Sequence, residues 1–240
     1  MKTVEVFILK IDIDKKSIIF AIQTGLSNAW VEIYSSNTIT ENRKHMEKWD
    51  KINTCVYDLF LENDRFSVMP LDRGLFKLIM IFDNKERILF TIIKKDNFNK
   101  LLKRKLLPKA HYIDAMFDYN YPYRQEPMQM SMFDAENMFS EGVERQIKDL
   151  QTTIDSLLLN GPIKKYVSIV VDFKGFTLTE VRAVLGSKWL EIIETDDWSE
   201  YINPSFDEIE DNGKRDYVQS TDLKSKISIK PSVKKQQEMG

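Results

Sequence analysis

Three strand-like segments in succession, within residues 65–95, constrain the fold of this chain most. They read RFSVMPL, GLFKLIMIFD and RILFTIIKK, and the turn residues Asp83 and Asn84 stand between the second and the third. β-Rich runs on either side of such a turn predict a β-hairpin, and Gly74 marks the loop before it. This part of the chain is therefore expected to build a sheet.

Segments with helical periodicity flank these strands. Apolar residues recur every three or four positions in 18–33, after the N-cap candidate Asp14, and again in 46–60. Further helices are predicted in 97–107 and 141–160, and further strands in 4–12, 164–175 and 188–194. The segment 110–120 fits a helix or a strand, and its spacing favours the helix. The segment 177–186 fits a short helix or a strand. The whole pattern indicates an α+β fold with a mixed or antiparallel sheet and flanking helices.

The chain divides into two subregions joined by a Pro-rich linker. The predicted order is an N-terminal α+β region in 1–120, a linker in 121–133, a helix with a β-rich region in 134–202, and a tail in 203–240. No apolar period persists in the tail, so it is expected to be disordered.

Composition bounds the class of protein. The 240 residues carry a formal net charge of -2, with 42% hydrophobic and 30% charged residues. This is typical of a globular protein and argues against a surface that coats nucleic acid or membrane as a whole. No apolar run approaches the roughly 20 residues that cross a bilayer, and the single cysteine, Cys55, fits a reducing compartment. We expect a soluble cytoplasmic protein.

One segment of the linker resembles a known docking peptide. It consists of Gln129, Met130, Ser131, Met132 and Phe133. The pattern of glutamine, an aliphatic residue, serine or aspartate, an aliphatic residue and phenylalanine is similar to the peptide by which bacterial polymerases and repair proteins bind the DNA sliding clamp. The resemblance implies an extended peptide whose last two side chains fill an apolar pocket on that partner. Alternatively, the apolar side chains staple the helix that follows.

A second motif lies at the end of the strand predicted in 164–175. Asp172 and Lys174 have the acid-x-lysine spacing of metal-dependent nucleases, in which the acid and an upstream aspartate hold Mg²⁺ and the lysine steadies the attacking water. Asp155 is the upstream candidate, although it falls inside a predicted helix. The alternative is an ordinary solvent-facing strand end.

A basic stretch begins with Lys94 at the end of the third strand and runs to Lys105. Its candidate nucleic-acid contacts are Lys95, Lys100, Lys103, Arg104 and Lys105. They could lie along a phosphate backbone, or they could form a solvated helix face. The two histidines lie far apart in sequence and Cys55 has no neighbouring ligand, so no metal site is predicted.

The segments WDKIN, RGLFKLIMIFD and HYIDAMFDYN resemble an uncharacterised family of bacterial and prophage proteins over residues 49–120. The resemblance implies a phage- or defence-linked DNA role. It supplies no established activity and no catalytic residues that could be assigned to this chain. The leading hypothesis is a non-enzymatic accessory protein of DNA replication, repair or phage defence that docks on the sliding clamp. The alternatives are a nuclease or nuclease-like toxin, with Mg²⁺ as its only cofactor, and a protein-binding partner in a toxin-antitoxin or defence locus.

Overall fold

The computed structural model describes residues 11–35, 43–73, 76–103, 110–120, 141–158 and 161–206. These residues form five α-helices and one six-stranded sheet, which confirms the α+β fold class. The helices are α1 Lys15–Ser35, α2 Lys44–Leu61, α3 Lys95–Leu102, α4 Tyr112–Asp118 and α5 Glu141–Leu157. The strands are β1 Phe66–Arg73, β2 Phe76–Asp83, β3 Ile88–Lys94, β4 Lys165–Lys174, β5 Thr177–Gly186 and β6 Ile192–Asp197.

The sheet has the order β1-β2-β3-β4-β5-β6, so neighbours in the sheet are also neighbours along the chain. Every pair is antiparallel except β3 and β4, which run parallel from Ile88 opposite Lys165 to Lys94 opposite Val171. A parallel pair needs a crossover connection, and α3, α4 and α5 lie in it. The predicted N-terminal and C-terminal regions thus contribute strands to the same sheet. The strand predicted in 4–12 lies outside the described residues apart from its last two positions.

Helices cover both faces of the sheet. On one face α1 and α2 pack against Val167, Ile169 and Val171 of β4, and on the other α3, α4 and α5 pack against Tyr166 and Val170. A strand that is buried on both faces needs apolar residues at nearly every position. This accounts for the almost unbroken apolar run in β4, and the sheet is the central layer of three.

The hairpin turn predicted at Asp83 and Asn84 is present, and a charged network fixes it. The Asp83 carboxylate accepts hydrogen bonds from the backbone amides of Lys85 and Glu86, and Arg65 donates to it at 2.6 Å. Burial alone would raise the pKa of Asp83, but the hydrogen bonds from Arg65 and the two amides outweigh it and lower that pKa. Asp83 therefore stays ionised although it is buried.

One strand begins later than the sequence predicts. The segment 188–194 was expected to be a strand throughout, but residues up to Glu191 form a turn and β6 begins at Ile192. The Ser187 hydroxyl accepts hydrogen bonds from the amides of Trp189 and Glu191, and Leu190 has a φ of 63°. A left-handed residue interrupts the extended backbone, so that part of the prediction is wrong. The ambiguous segment 177–186 is strand β5.

The buried apolar side chains of α5 pack into the protein's own core. Val143 and Ile147 pack against Ala115 of α4, and Ile154 joins the core beneath the sheet. The Gln151 side chain also donates a hydrogen bond to the carbonyl of Ala115 at 3.1 Å. The buried apolar residues of α5 therefore serve packing within the chain.

A buried asparagine joins α4 to the sheet. Asn120 is 1% exposed, and its amide donates to the carbonyls of Tyr166 and Gly186 at 2.9 and 2.8 Å. Its carbonyl accepts from the Tyr166 amide at 2.8 Å. The side chain of one residue thus holds the start of β4, the end of β5 and the end of α4 together.

Replacing Asn120 with alanine should destabilise the protein strongly. Two buried carbonyls and one buried amide would lose their partners, at about 1–3 kcal/mol for each group, so the expected loss is about 3 kcal/mol or more. Urea denaturation followed by circular dichroism measures it. The control is Asn99→Ala on the exposed side of α3. Equal midpoints for the two variants would contradict the role given to Asn120.

Gly25 is required by the close approach of α1 to α2. A Cβ at this position would lie 2.6 Å from the Ile52 Cα and 2.7 Å from the Ile52 nitrogen, both of which are backbone atoms. Gly25→Ala should cost about 1–3 kcal/mol of unfolding free energy, although alanine favours helices. Gly142→Ala, at an exposed position of α5, should be neutral or stabilising in the same denaturation experiment. The idea fails if Gly25→Ala is as stable as Gly142→Ala.

Candidate functional site

A crevice of about 610 Å³ opens at one end of the sheet. There β2 begins and β3 ends, and helices from both faces of the sheet contribute to the walls. Its walls come from α2 (His45, Met46, Trp49, Asp50, Asn53), β2 (Phe76, Lys77, Leu78), β3 (Ile92, Ile93, Lys94), α3 (Asn97, Lys100, Leu101) and α4 (His111, Tyr112). The volume is in the range of pockets that hold small ligands, which is roughly 300–1,000 Å³.

Positive charge predominates along the crevice. Lys77, Lys94 and Lys100 line it, against the single carboxylate of Asp50. They come from β2, β3 and α3, so no continuous stretch of sequence displays the cluster. Ammonium groups in the walls attract an anionic ligand to the extent that neighbouring carboxylates leave their charge uncompensated.

The three lysines differ in how far their charge is neutralised. Lys94 lies 3.4 Å from Asp96, and Lys77 lies 3.7 Å from Asp72. Lys100 is exposed and makes no ion pair with any residue that the structure describes. Lys100 is therefore the most available cation at the crevice.

Aromatic and apolar side chains surround the lysines. Phe76 is 51% exposed and Met46 is 47% exposed, whereas Tyr112 is buried in the wall. Trp49 is half-buried, and its ring meets Phe173 edge-on with centroids 5.9 Å apart. The crevice thus offers flat apolar surface next to cationic groups, which suits a ligand with both a ring and a negative charge.

Phe173 fixes the cations at this end of the sheet. It is buried at the end of β4, and the Lys94 Nζ lies 5.1 Å from its ring centroid. The Lys48 Nζ lies 5.7 Å from the same centroid and donates a hydrogen bond to the Gly175 carbonyl at 2.6 Å. Cation–π contact of this kind holds an ammonium group without neutralising its charge.

Both histidines of the chain line the crevice. The Nδ1 of His111 accepts a hydrogen bond from the Ile113 amide at 3.3 Å, and the Asp114 carboxylate accepts from the His111 amide at 2.6 Å. This reciprocal pair caps α4 and fixes the imidazole at the crevice wall. His45 and His111 are far apart in the sequence, and the fold brings them to one site.

The structure separates the basic residues that the sequence groups together. Lys100 lines the crevice, and Lys103 is exposed just after α3. Lys95 instead forms an ion pair with Glu180 of β5. Arg104 and Lys105 lie outside the described residues. The basic stretch of the sequence contains Lys94 and Lys100 of the crevice, although only Lys100 is among the predicted contacts, and it does not contain Lys77.

The candidate nuclease residues Asp172 and Lys174 lie at the end of β4. Asp172 is directly opposite Glu180 in the β4–β5 pairing, and Glu180 in turn contacts Lys95 and Arg182. The described residues contain no group of three or more histidine, cysteine or acidic side chains placed to hold a metal ion.

The candidate upstream acid Asp155 lies in α5, as the sequence suggests. It accepts a hydrogen bond from the Tyr119 hydroxyl at 2.9 Å. Burial raises the pKa of Tyr119, and this hydrogen bond is the second cause of the same shift. The neighbouring Asn120 binds Tyr166 at the start of β4. From Tyr166 to Asp172 the strand runs about 20 Å, so Asp155 and Asp172 are at opposite ends of β4. The fold does not bring the two carboxylates together.

The candidate docking peptide, residues 129–133, lies outside the described residues. Residues 119–140 connect α4 to α5, and these two helices pack against each other. Connections between packed helices commonly take about 2–8 residues. This connection is longer than the packing of its helices requires.

Residues 10–240 match a family of unknown function (DUF5986). The chain belongs to that family. The match spans every described element of the fold, including all the walls of the crevice. Comparison with curated proteins and with solved structures found no match. No helix in the described part of the chain combines the length and the apolar character that crossing a membrane needs.

Proposed function

We propose that this protein binds nucleic acid in the crevice, as a non-enzymatic accessory protein of DNA replication, repair or phage defence. The observation that carries the proposal is the convergence of Lys77, Lys94 and Lys100 with the rings of Trp49 and Phe76 around one opening. Phosphate groups attract the ammonium groups, and nucleobases stack on aromatic rings. The crevice supplies both kinds of group, from four different elements.

Position in the fold supports the same ligand class. The crevice lies beyond the carboxyl end of β3, one member of the only parallel pair among the described strands. Open sheets with parallel strands commonly bind ligands outside the carboxyl ends of those strands.

The proposal predicts that binding depends on Lys94 and Lys100. The double variant Lys94→Gln, Lys100→Gln should bind a fluorescein-labelled 12-nucleotide single strand at least tenfold more weakly, measured by anisotropy. For a single strand the slope of log K against log salt falls by about 0.7 for each lost phosphate contact, so about 1.4 should disappear.

The matched control is Lys85→Gln in the β2–β3 turn, at the other end of the sheet. Lys85 is also exposed and also lies beside a carboxylate, 3.6 Å from Glu86. This variant should retain the affinity and the salt slope of the wild type. No binding by the wild type, or an equal loss in both variants, would overturn the proposal.

A second proposal concerns the partner, and its support is the peptide Gln129–Phe133 in the long α4–α5 connection. We propose that this segment docks the protein on a bacterial DNA sliding clamp, with Met132 and Phe133 in an apolar pocket and Gln129 at its rim. A clamp contact would place the nucleic-acid crevice next to DNA. The two proposals are independent, because they use different residues.

Calorimetry of the full chain against a purified clamp tests the docking proposal. Gln129→Ala with Phe133→Ala should weaken binding by at least tenfold, because it removes both the rim contact and the pocket side chain. Gln125→Ala with Met128→Ala, which changes the same connection but leaves the five-residue motif intact, should bind as the wild type does. Absence of wild-type binding, or identical binding by both variants, would exclude docking.

A further inference from the structure

We infer that the ligand is a single strand of several nucleotides, and that it continues from the crevice along a row of aromatic side chains. The row consists of Trp49, Phe176, Tyr34 and Trp30 and is here called the aromatic row. It leads from α2, across the turn between β4 and β5, to the end of α1. This inference rests on the proposed function, since it extends the same site.

Ring contacts define the aromatic row. Tyr34 lies between Phe176 and Trp30, with centroid distances of 6.1 and 5.1 Å. Trp49 meets Phe173 with centroids 5.9 Å apart. The Lys48 Nζ lies 5.7 Å from the Phe173 centroid and 4.0 Å from the Phe176 centroid. All four side chains are half-buried, so the fold covers none of them completely. Such rings are held in place before a ligand binds.

The sequence gives no sign of this arrangement, because the four rings come from three separate elements. Trp30 and Tyr34 are a turn apart on α1, Trp49 is on α2, and Phe176 follows Gly175 in the β4–β5 turn. Gly175 has a φ of 60°, a conformation that favours glycine and reverses the chain tightly at this point. The tight turn sets Phe176 against Tyr34 and Lys48.

Charge along the aromatic row matches a polynucleotide. The Lys94 Nζ lies 5.1 Å from the centroid of the Phe173 ring, which Trp49 also contacts. The Lys48 Nζ lies near the rings of both Phe173 and Phe176. Alternating rings and ammonium groups are the surface that binds single strands without sequence preference, since every base has a flat face and every linkage a charge. Bases in a duplex are already stacked on one another and cannot use such rings.

Binding as a function of oligonucleotide length tests the inference. Oligothymidylates and oligouridylates of 2, 4, 8 and 12 nucleotides are measured by anisotropy or by competition, beside a 12-base-pair duplex. Affinity should rise by at least tenfold between 2 and 8 nucleotides, and the duplex should compete poorly. The deoxy and ribo series together show whether the strand is DNA or RNA.

Variants of Phe176 separate stacking from folding. Phe176→Leu keeps an apolar side chain but removes the ring. It should weaken binding of the 12-mer by about fivefold or more, which corresponds to the lower end of the free energy lost with one stacked base. Phe176→Trp should restore affinity. Both variants should bind the dinucleotide as the wild type does, since that ligand occupies the crevice alone.

Matched controls lie at the other end of α1. Phe20→Leu alters an exposed ring that contacts Phe206, and Lys16→Ala removes an ammonium group 5.7 Å from the Tyr201 ring. Neither should change the binding of any oligonucleotide, whereas Lys48→Ala should weaken only the longer ones.

The outcomes distinguish this inference from the function on which it rests. If the 12-mer fails to bind, or binds without dependence on Lys94 and Lys100, the crevice itself is not the site and both ideas fall. If binding depends on those lysines but is equal for 2 and 12 nucleotides, or is unchanged in Phe176→Leu, the crevice stands and the aromatic row is excluded.

Discussion

The parallel pairing of β3 with β4 is the constraint on which the rest of the structure depends. It joins the hairpin strands of the first half of the chain to the last three strands, so that one sheet separates two apolar cores. Because parallel neighbours require a crossover, the chain between them has to travel along one face. α3, α4 and α5 lie in that crossover and cover the sheet. Asn120 secures the end of α4 against β4 and β5.

The same pairing creates the candidate site. Where β3 ends, the chain enters α3 directly instead of turning back into a neighbouring strand, and helices therefore surround this end of β3. There α2 approaches from one face, and α3 and α4 from the other. The crevice therefore collects side chains from five elements, and its positive charge arises from lysines that are far apart in sequence. Phe173 beneath them supports Trp49, Lys48 and Lys94 at the same point.

Local signals predicted most of the elements, for reasons that are visible in the structure. Asp14 caps α1 by accepting hydrogen bonds from Ser17, and Asp83 fixes the hairpin turn, so short-range side-chain chemistry marks both places. The strand predicted in 188–194 begins late because a local contact overrides the apolar pattern. The Ser187 hydroxyl imposes a turn before β6. For the site, the basic stretch included Lys100 but also Lys95, which the fold pairs with Glu180. No sequence pattern separates the two lysines, because α3 turns one toward the crevice and the other toward β5.

The sequence by itself determined the α+β class, the hairpin and the periodicity of the helices, because these depend on residues within about one turn or one strand of each other. It also contains the clamp-like peptide, whose recognition needs only five consecutive residues. Tertiary structure alone decided that β3 pairs with β4 and that both histidines and three lysines share a crevice. It also decided that Asp155 of α5 lies near the start of β4, whereas Asp172 lies near the end of that strand. Such placements follow from how the helices pack on the two faces of the sheet, and packing depends on contacts between residues far apart in the chain.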